Sequence, residues 1–370
     1  MDRIEELLGR EAFQRDEGLF MEAMREAIRF HYGNCGMYRK FCEKEGFIPE
    51  SGFSLEQIPF FPVSLFKTLK LVSVPEKEIV RDISSSSTSG VPSRIYLDSV
   101  TAKRQVKALQ SIMSSFMGHE RKDFIVFDSP ETVKSKERHL SSRATAIRGM
   151  LPFSKRMFFV LDNNLELDME ALKRAASEAS GKVYFFGFTF LIHRVMERSK
   201  GNAEAADILN KLSASRVLHI GGWKKLMDLG ISKEDFNKSV SEFFNVENKG
   251  VTDIYGMTEQ LGTIYPDCEF GFKHVPAYSE IIIRDTHTLK PVENGKPGFI
   301  QLLTPLPHSY PGISVISDDI GVIVTESCGC GRGKAFLFKS RAEKAELKGC
   351  GDKLGEKASA DAFRPEGGRE

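Results

Sequence analysis

The chain has 370 residues, with 52 Lys+Arg against 51 Asp+Glu and 41% hydrophobic residues. That balance excludes bulk disorder and a polyanion-binding field spread over the surface, so any phosphate or lipid contact must come from a local patch. The length suits two domains or one large α/β domain, and six cysteines are too few to staple it, so a reduced, cytoplasmic protein is expected.

Leu19, Phe20, Met24 and Ile28 at helical spacing predict a helix over 17–31, and Tyr38 and Phe41 continue a second over 36–45. Cys35 and Cys42, seven apart, read as buried small hydrophobes. IPFFPVSLFKTL, with Pro59 and Pro62, reads as a surface-crossing loop. A helix over 98–118 leads into strand-like runs at 124–128, 157–162, 183–187, 216–220 and 251–256, with helices at 167–179, 188–199 and 233–244 between them. Such alternation implies βαβ units and a largely parallel sheet covered on both faces. After 256 the helices stop, and YSEIIIRD, GFIQLLTP and DIGVIVTE read as strands of an antiparallel β subdomain. The organisation expected is an N-terminal helical segment over 1–80, an α/β nucleotide-binding core over 81–256, a β-rich part over 257–350 and a flexible polar tail over 351–370. The N-terminus lacks the apolar core of a secretory signal. The longest apolar stretch, Val183 to Ile192, falls short of the roughly 20 residues of a membrane span, so no membrane insertion is expected. The 28 Phe fill a core or line an apolar pocket for a long substrate.

The strongest local signal is the run Ser84, Ser85, Ser86, Ser87, Thr88, Ser89, Gly90, ahead of Val91 and Pro92. Small hydroxyl residues ending in Gly leave N–H and O–H groups free to wrap phosphate oxygens, and the spacing is not that of a Walker loop. The second signal is Tyr255-Gly256-Met257-Thr258-Glu259 directly after a strand, where parallel sheets bind ligands. Tyr can stack on a base, Thr can donate to phosphate, and Glu can hold Mg²⁺ through a hard oxygen. A third group, Cys268 and His274 (C-x₅-H) with Cys328 and Cys330 (C-x-C), either provides a tetrahedral Zn²⁺ site or consists of free core cysteines.

The pair SSSSTSGVP and YGMTE, with IGGWKKL, HSYPG, SDDIGVI, CGCGRGKAF and SRAEKAELKGCG, resembles the adenylate-forming enzymes, and within them the LuxE-type acyl-protein synthetases. Phenylacetate–CoA ligases are a near branch and show a similar Cys/His cluster. The resemblance covers residues 55–351 and implies an α/β large domain of parallel sheets plus the antiparallel β subdomain. It implies a ligase that forms acyl-AMP from ATP, with Mg²⁺, and a carboxylic acid, then passes the acyl group through a Cys thioester to a partner such as an acyl reductase, with no nucleic acid involved. By that resemblance Ser84 to Gly90 hold the ATP phosphates, Gly221 and Gly222 flank the adenine, and Tyr255 and Gly256 meet it. Thr258 contacts the α-phosphate, Glu259 the Mg²⁺, Asp319 the ribose, and Arg341 is the hinge-proximal arginine. Cys350, in LKGCG, matches the acyl-carrying cysteine, and Lys348 nearby favours a thiolate. Two departures stand out. Ser93 and Arg94 follow Pro92 where the superfamily has Lys, and only 29 residues follow Arg341, so the small C-terminal domain is expected to be absent. An aryl- or acyl-CoA ligase and a non-catalytic nucleotide or acyl-binding scaffold are the alternatives.

Overall fold

The computed structural model describes residues 2–85, 91–134, 139–221, 223, 226 and 229–342. The chain divides into two units: one takes Met1–Ala108, Met257–Thr263 and the chain from Val275 onward, the other Leu109–Gly256 and Ile264–His274.

The first unit opens with α1 (Arg3–Leu8), capped by the Asp2 carboxylate, and α2 (Glu17–Asn34), capped by Asp16. Helix α2 buries Leu19, Phe20, Met24 and Ile28, the residues whose spacing predicts it. Cys35, in extended conformation, separates it from α3 (Gly36–Lys44), and both Cys35 and Cys42 are buried. The stretch read as a surface loop instead holds β1 (Phe61–Pro62) and α4 (Leu65–Thr68). Ile58, Phe61, Leu65 and Phe66 in it are buried, and β1 runs parallel to a later strand, with Phe61 opposite Val315 and Pro62 opposite Ile316. The prolines mislead because an edge position tolerates a residue with no N–H to donate. Then come β2 (Arg81–Ser84) and β3 (Arg94–Leu97), an antiparallel pair in which Ser84 faces Arg94, and α5 (Ser99–Met117), which belongs to this unit as far as Ala108 and to the second from Leu109.

The second unit contains β4 (Lys122–Phe127), α6 (Glu131–Lys134), β5 (His139–Ser141), α7 (Ser142–Gly149), β6 (Ser154–Phe159), α8 (Met169–Glu178) and β7 (Val183–Phe188). It continues through α9 (Thr189–Ser199), α10 (Ala203–Lys211), β8 (Ala214–Ile220), α11 (Lys233–Phe243), β9 (Val251–Tyr255), β10 (Tyr265–Pro266) and β11 (Lys273–His274). Its sheet has the order β10-β9-β8-β7-β4-β6, parallel except at β10. Phe127, Phe185 and Phe244 stack edgewise or tilted in its core, which also takes in Leu191, Val217 and Val240. Gly187 belongs to that packing: a Cβ there would stand 2.9 Å from Phe127 Cβ and 3.2 Å from Ile192. Phe185 and Phe186 are thus core residues.

The first unit resumes as β12 (Glu280–Arg284), β13 (Gly298–Leu303), β14 (Ser314–Cys328) and β15 (Gly333–Arg341), antiparallel in that order, as the β-rich sequence past residue 256 predicts.

Candidate active site

In the first unit β2 and β3 flank the hydroxyl-rich run. Ser85 N–H donates to Ser93 O at 3.0 Å and Ser93 N–H to Ser85 Oγ at 2.9 Å, closing the loop at its base. Ser84 and Ser85 are half-buried there, whereas Ser86, Ser87, Thr88, Ser89 and Gly90 lie outside the described residues. Arg94 is exposed and Ser93 is buried.

Thr258 and Glu259 occupy a single 3-10 turn, Thr258–Gln260, and both are buried. The turn is fixed from behind. Gln260 Nε2 donates to Leu302 O and Gly312 O, each at 2.9 Å, and Tyr310 donates its hydroxyl to Glu259 O at 3.0 Å. Gly312 is required by close approach, since a Cβ would stand 2.4 Å from the Tyr310 ring and 2.7 Å from Glu259 O. Burial pushes the Glu259 carboxyl above its usual range. A hydrogen bond with the Ser93 side chain and the Lys67 charge act against that rise, and Asp319 adds to it.

Asp319 is buried on β14, opposite Arg341 on β15, and Arg341 Nε donates to its Oδ1 at 3.0 Å. The neighbouring Asp318 is also raised, first by burial and then by Asp319, with Lys67 and Arg341 opposing. One unit therefore holds the loop base, the Thr258–Glu259 turn, Asp319 and Arg341. Lys67, Ser93, Tyr310 and Gly312 are the site residues that sequence reasoning does not assign. Lys67 is hidden because its segment reads as loop, and only the pairing of β1 with β14 carries α4 toward Asp318 and Asp319.

In the second unit, Gly221 follows β8 and Tyr255 ends β9, on neighbouring parallel strands with Ile220 opposite Ile254. Both thus lie at strand C-termini, where such sheets bind ligands. Gly221 has φ +57, a left-handed backbone that Gly adopts freely. Gly222 lies outside the described residues, and Gly256 follows Tyr255 as the sheet ends. The strand end is anchored by a buried ionic group: Lys273 Nζ lies 2.9 Å from Asp253 Oδ2 and 3.1 Å from Asp267 Oδ1, and Trp223 Nε1 donates to Asp253 Oδ1 at 3.2 Å. Burial alone would raise Asp253, but Lys273 holds its carboxyl far below the usual range.

Cys268 and His274 flank a tight turn in which Cys268 N–H donates to Phe272 O and Phe270 N–H to Cys268 Sγ at 3.4 Å. Cys328 and Cys330 sit in the β14–β15 turn, closed by Gly331 N–H on Cys328 O and bent through Gly331 (φ +83) and Gly333 (φ +73). Cys268 and His274 thus belong to the second unit and Cys328 and Cys330 to the first. Cys350 lies outside the described residues. No described helix is long and apolar enough to cross a membrane.

Comparison with known proteins finds the family described as acyl-protein synthetase, LuxE, matching residues 11–359. A Vibrio harveyi protein named long-chain-fatty-acid–luciferin-component ligase is 25% identical over 349 residues, covering 92% of this chain and 88% of its own. An Aliivibrio fischeri protein of the same name is 24% identical over 321 residues, covering 84% of this chain and 81% of its own. Among solved structures, an open conformation of 2-hydroxyisobutyryl-CoA ligase in complex with 2-HIB-AMP and CoA superposes with a TM-score of 0.71 at 16% identity, covering 89% of this chain and 76% of that one. That likeness is one of fold, and the mixed parallel and antiparallel α/β architecture agrees with it.

Proposed function

Because the chain belongs to the acyl-protein synthetase (LuxE) family, we propose that it activates a carboxylic acid with ATP to an acyl-AMP. The acid is a fatty acid by the names its relatives carry. The acyl group then passes to the Cys350 thiol and on to an acceptor protein, an acyl reductase by resemblance. The observation that carries the reading is the buried Thr258–Glu259 turn held beside Ser93 at the base of the hydroxyl-rich loop.

The substrate carboxylate is the nucleophile. Its oxygen attacks the α-phosphorus, the bond to pyrophosphate breaks, and negative charge grows on the phosphate oxygens. Donors fixed beforehand lower that barrier most. Ser84 to Gly90 offer hydroxyl and N–H donors to the phosphates, and Thr258 offers one to the α-phosphate. Gly221, Gly222, Tyr255 and Gly256 take the adenine, and Asp319 takes the ribose with Arg341 beside it. Glu259 fits Mg²⁺, since a buried carboxyl pushed upward is one that an adjacent cation returns to its anionic form. The ion supplies neutralising charge to the phosphates. The C-x₅-H and C-x-C donors Cys268, His274, Cys328 and Cys330 would give Zn²⁺ four soft or borderline ligands, which leaves no open position for catalysis.

The test is ATP–pyrophosphate exchange across acids of graded length, expected to be positive for fatty acids. Failure of every fatty and aryl acid, with folded protein and Mg²⁺, overturns the reading. Formation of acyl-CoA in place of acyl-protein turns it to a CoA ligase.

A further inference from the structure

The two halves of the proposed reaction differ in their need for a base. The first uses a carboxylate, which is already an anion at neutral pH. The second uses a thiol, whose ordinary pKa of about 8.5 leaves only a small fraction ionised. A group that takes the thiol proton should therefore stand near the site without serving adenylation.

His308 has the geometry of such a group. Its Nδ1 lies 2.6 Å from Asp98 Oδ2, and the other Asp98 oxygen accepts from Thr101 N–H at 2.8 Å. The backbone is fixed as well, since the N–H groups of His308 and Ser309 both donate to Thr101 Oγ1 at 2.9 Å. Phe30 stacks on the ring, with centroids 4.3 Å apart and planes 23° from parallel. With the Nδ1 proton committed to Asp98, Nε2 of the neutral ring carries the lone pair. The His308 side chain keeps 26% of its surface exposed, against 4% for Asp98, so an incoming nucleophile has access.

The buried His31 and His219 lack this access. His31 is fully enclosed, with Nε2 donating to Pro307 O at 3.0 Å and Nδ1 accepting from Ser73 Oγ at 2.7 Å. Burial pushes its pKa down to about 3, so it stays neutral beside His308. His219 is enclosed between Trp223 and Phe236. Among the described residues, Asp98 before α5 pairs with His308, and His31 on α2 interacts with it electrostatically, with Arg104 of α5 also acting on His31.

Two links tie this pair to the proposed site. Two residues beyond His308, Tyr310 donates to Glu259 O, and before Asp98, strand β3 leads back to Ser93, which bonds Glu259.

We propose that His308 is the general base of acyl transfer, with Asp98 its positioning residue. The proposal rests on the acyl-AMP reading above and extends it to the second half-reaction. The thiol sulfur attacks the acyl carbonyl carbon while its proton moves to Nε2. The bond from that carbon to the AMP oxygen breaks, and AMP leaves with the electron pair. The imidazolium, stabilised by Asp98, then releases the proton to solvent.

The experiment follows the full chain charged with acyl-AMP from a fatty acid, ATP and Mg²⁺. It measures thioester formation, on the chain and on added 2-mercaptoethanol, beside pyrophosphate exchange. In His308→Gln, transfer should fall about 10²- to 10⁴-fold, at least tenfold more than exchange, and the pH–rate profile should follow the thiol's own ionisation. Asp98→Asn should lower transfer in the same selective way, and imidazole should restore it in His308→Gly. Parallel loss of transfer and exchange with no imidazole response, or unchanged transfer, would overturn the role of His308. Absence of exchange in the wild type overturns the acyl-AMP reading itself, and the base with it.

Discussion

Glu259 sits where a carboxylate is costly, at 5% exposure with its pKa raised by burial. A raised acid favours folding in its protonated form. That contribution is complete below the ordinary value and is lost as pH rises through the folded one. At pH 7–8, Glu259→Gln should therefore stabilise the chain by about 0.5–2 kcal/mol while cutting exchange by roughly a hundredfold or more. Thermal melts read beside exchange rates check both parts, and a destabilised but fully active variant contradicts the assignment. Cys350 calls for a different measurement, since its proposed work comes after adenylation. Cys350→Ser should keep exchange and lose the hydroxylamine-labile acyl label that survives denaturation; equal labelling in both proteins removes the cysteine from the pathway. The Glu259 turn draws attention in the sequence because it lies in a short run of distinctive neighbours, YGMTE, and Cys350 is proposed from the run LKGCG alone. Lys67 draws none, because a lone lysine among apolar residues carries no pattern, and its neighbours on β14 lie some 250 residues along the chain.

At the scale of elements, the turn bearing Glu259 is only as rigid as the strap behind it. The 308–312 segment touches it through Tyr310 and Gly312, and Gln260 returns two hydrogen bonds to strand and strap. Gly312→Ala puts a methyl group 2.7 Å from Glu259 O, so either the strap or the turn must shift. Overpacking of this kind should cost about 1–3 kcal/mol and lower exchange beyond what the stability loss explains. Urea unfolding beside kinetics at a temperature where the variant is folded separates the two effects. The elements themselves were unevenly legible. Helices with clean spacing, such as α2, α8 and α9, appear within about three residues of their expected ends, because apolar periodicity and burial coincide there. Short elements β1 and α4 are held by partners distant in sequence, which local pattern cannot reveal.

For the molecule as a whole, alternating strands and helices up to residue 256 and strands alone afterwards were enough to anticipate a parallel sheet followed by an antiparallel one. What composition left open was the work of the cysteines, whose spacing suited a metal and a core equally. The structure buries Cys268, His274 and Cys328 and gives Cys268 an N–H donor. A Zn²⁺ held by Cys268, His274, Cys328 and Cys330 closes a loop of about 60 residues, and binding to a set that the unfolded chain lacks is itself folding free energy. Protein purified without chelator should carry close to one zinc per chain by elemental analysis, and stripping it should lower the melting temperature by several degrees. Cys268→Ser should lose the metal together with that increment of stability. Metal-free protein that melts at the same temperature with or without added zinc would return all four residues to ordinary packing.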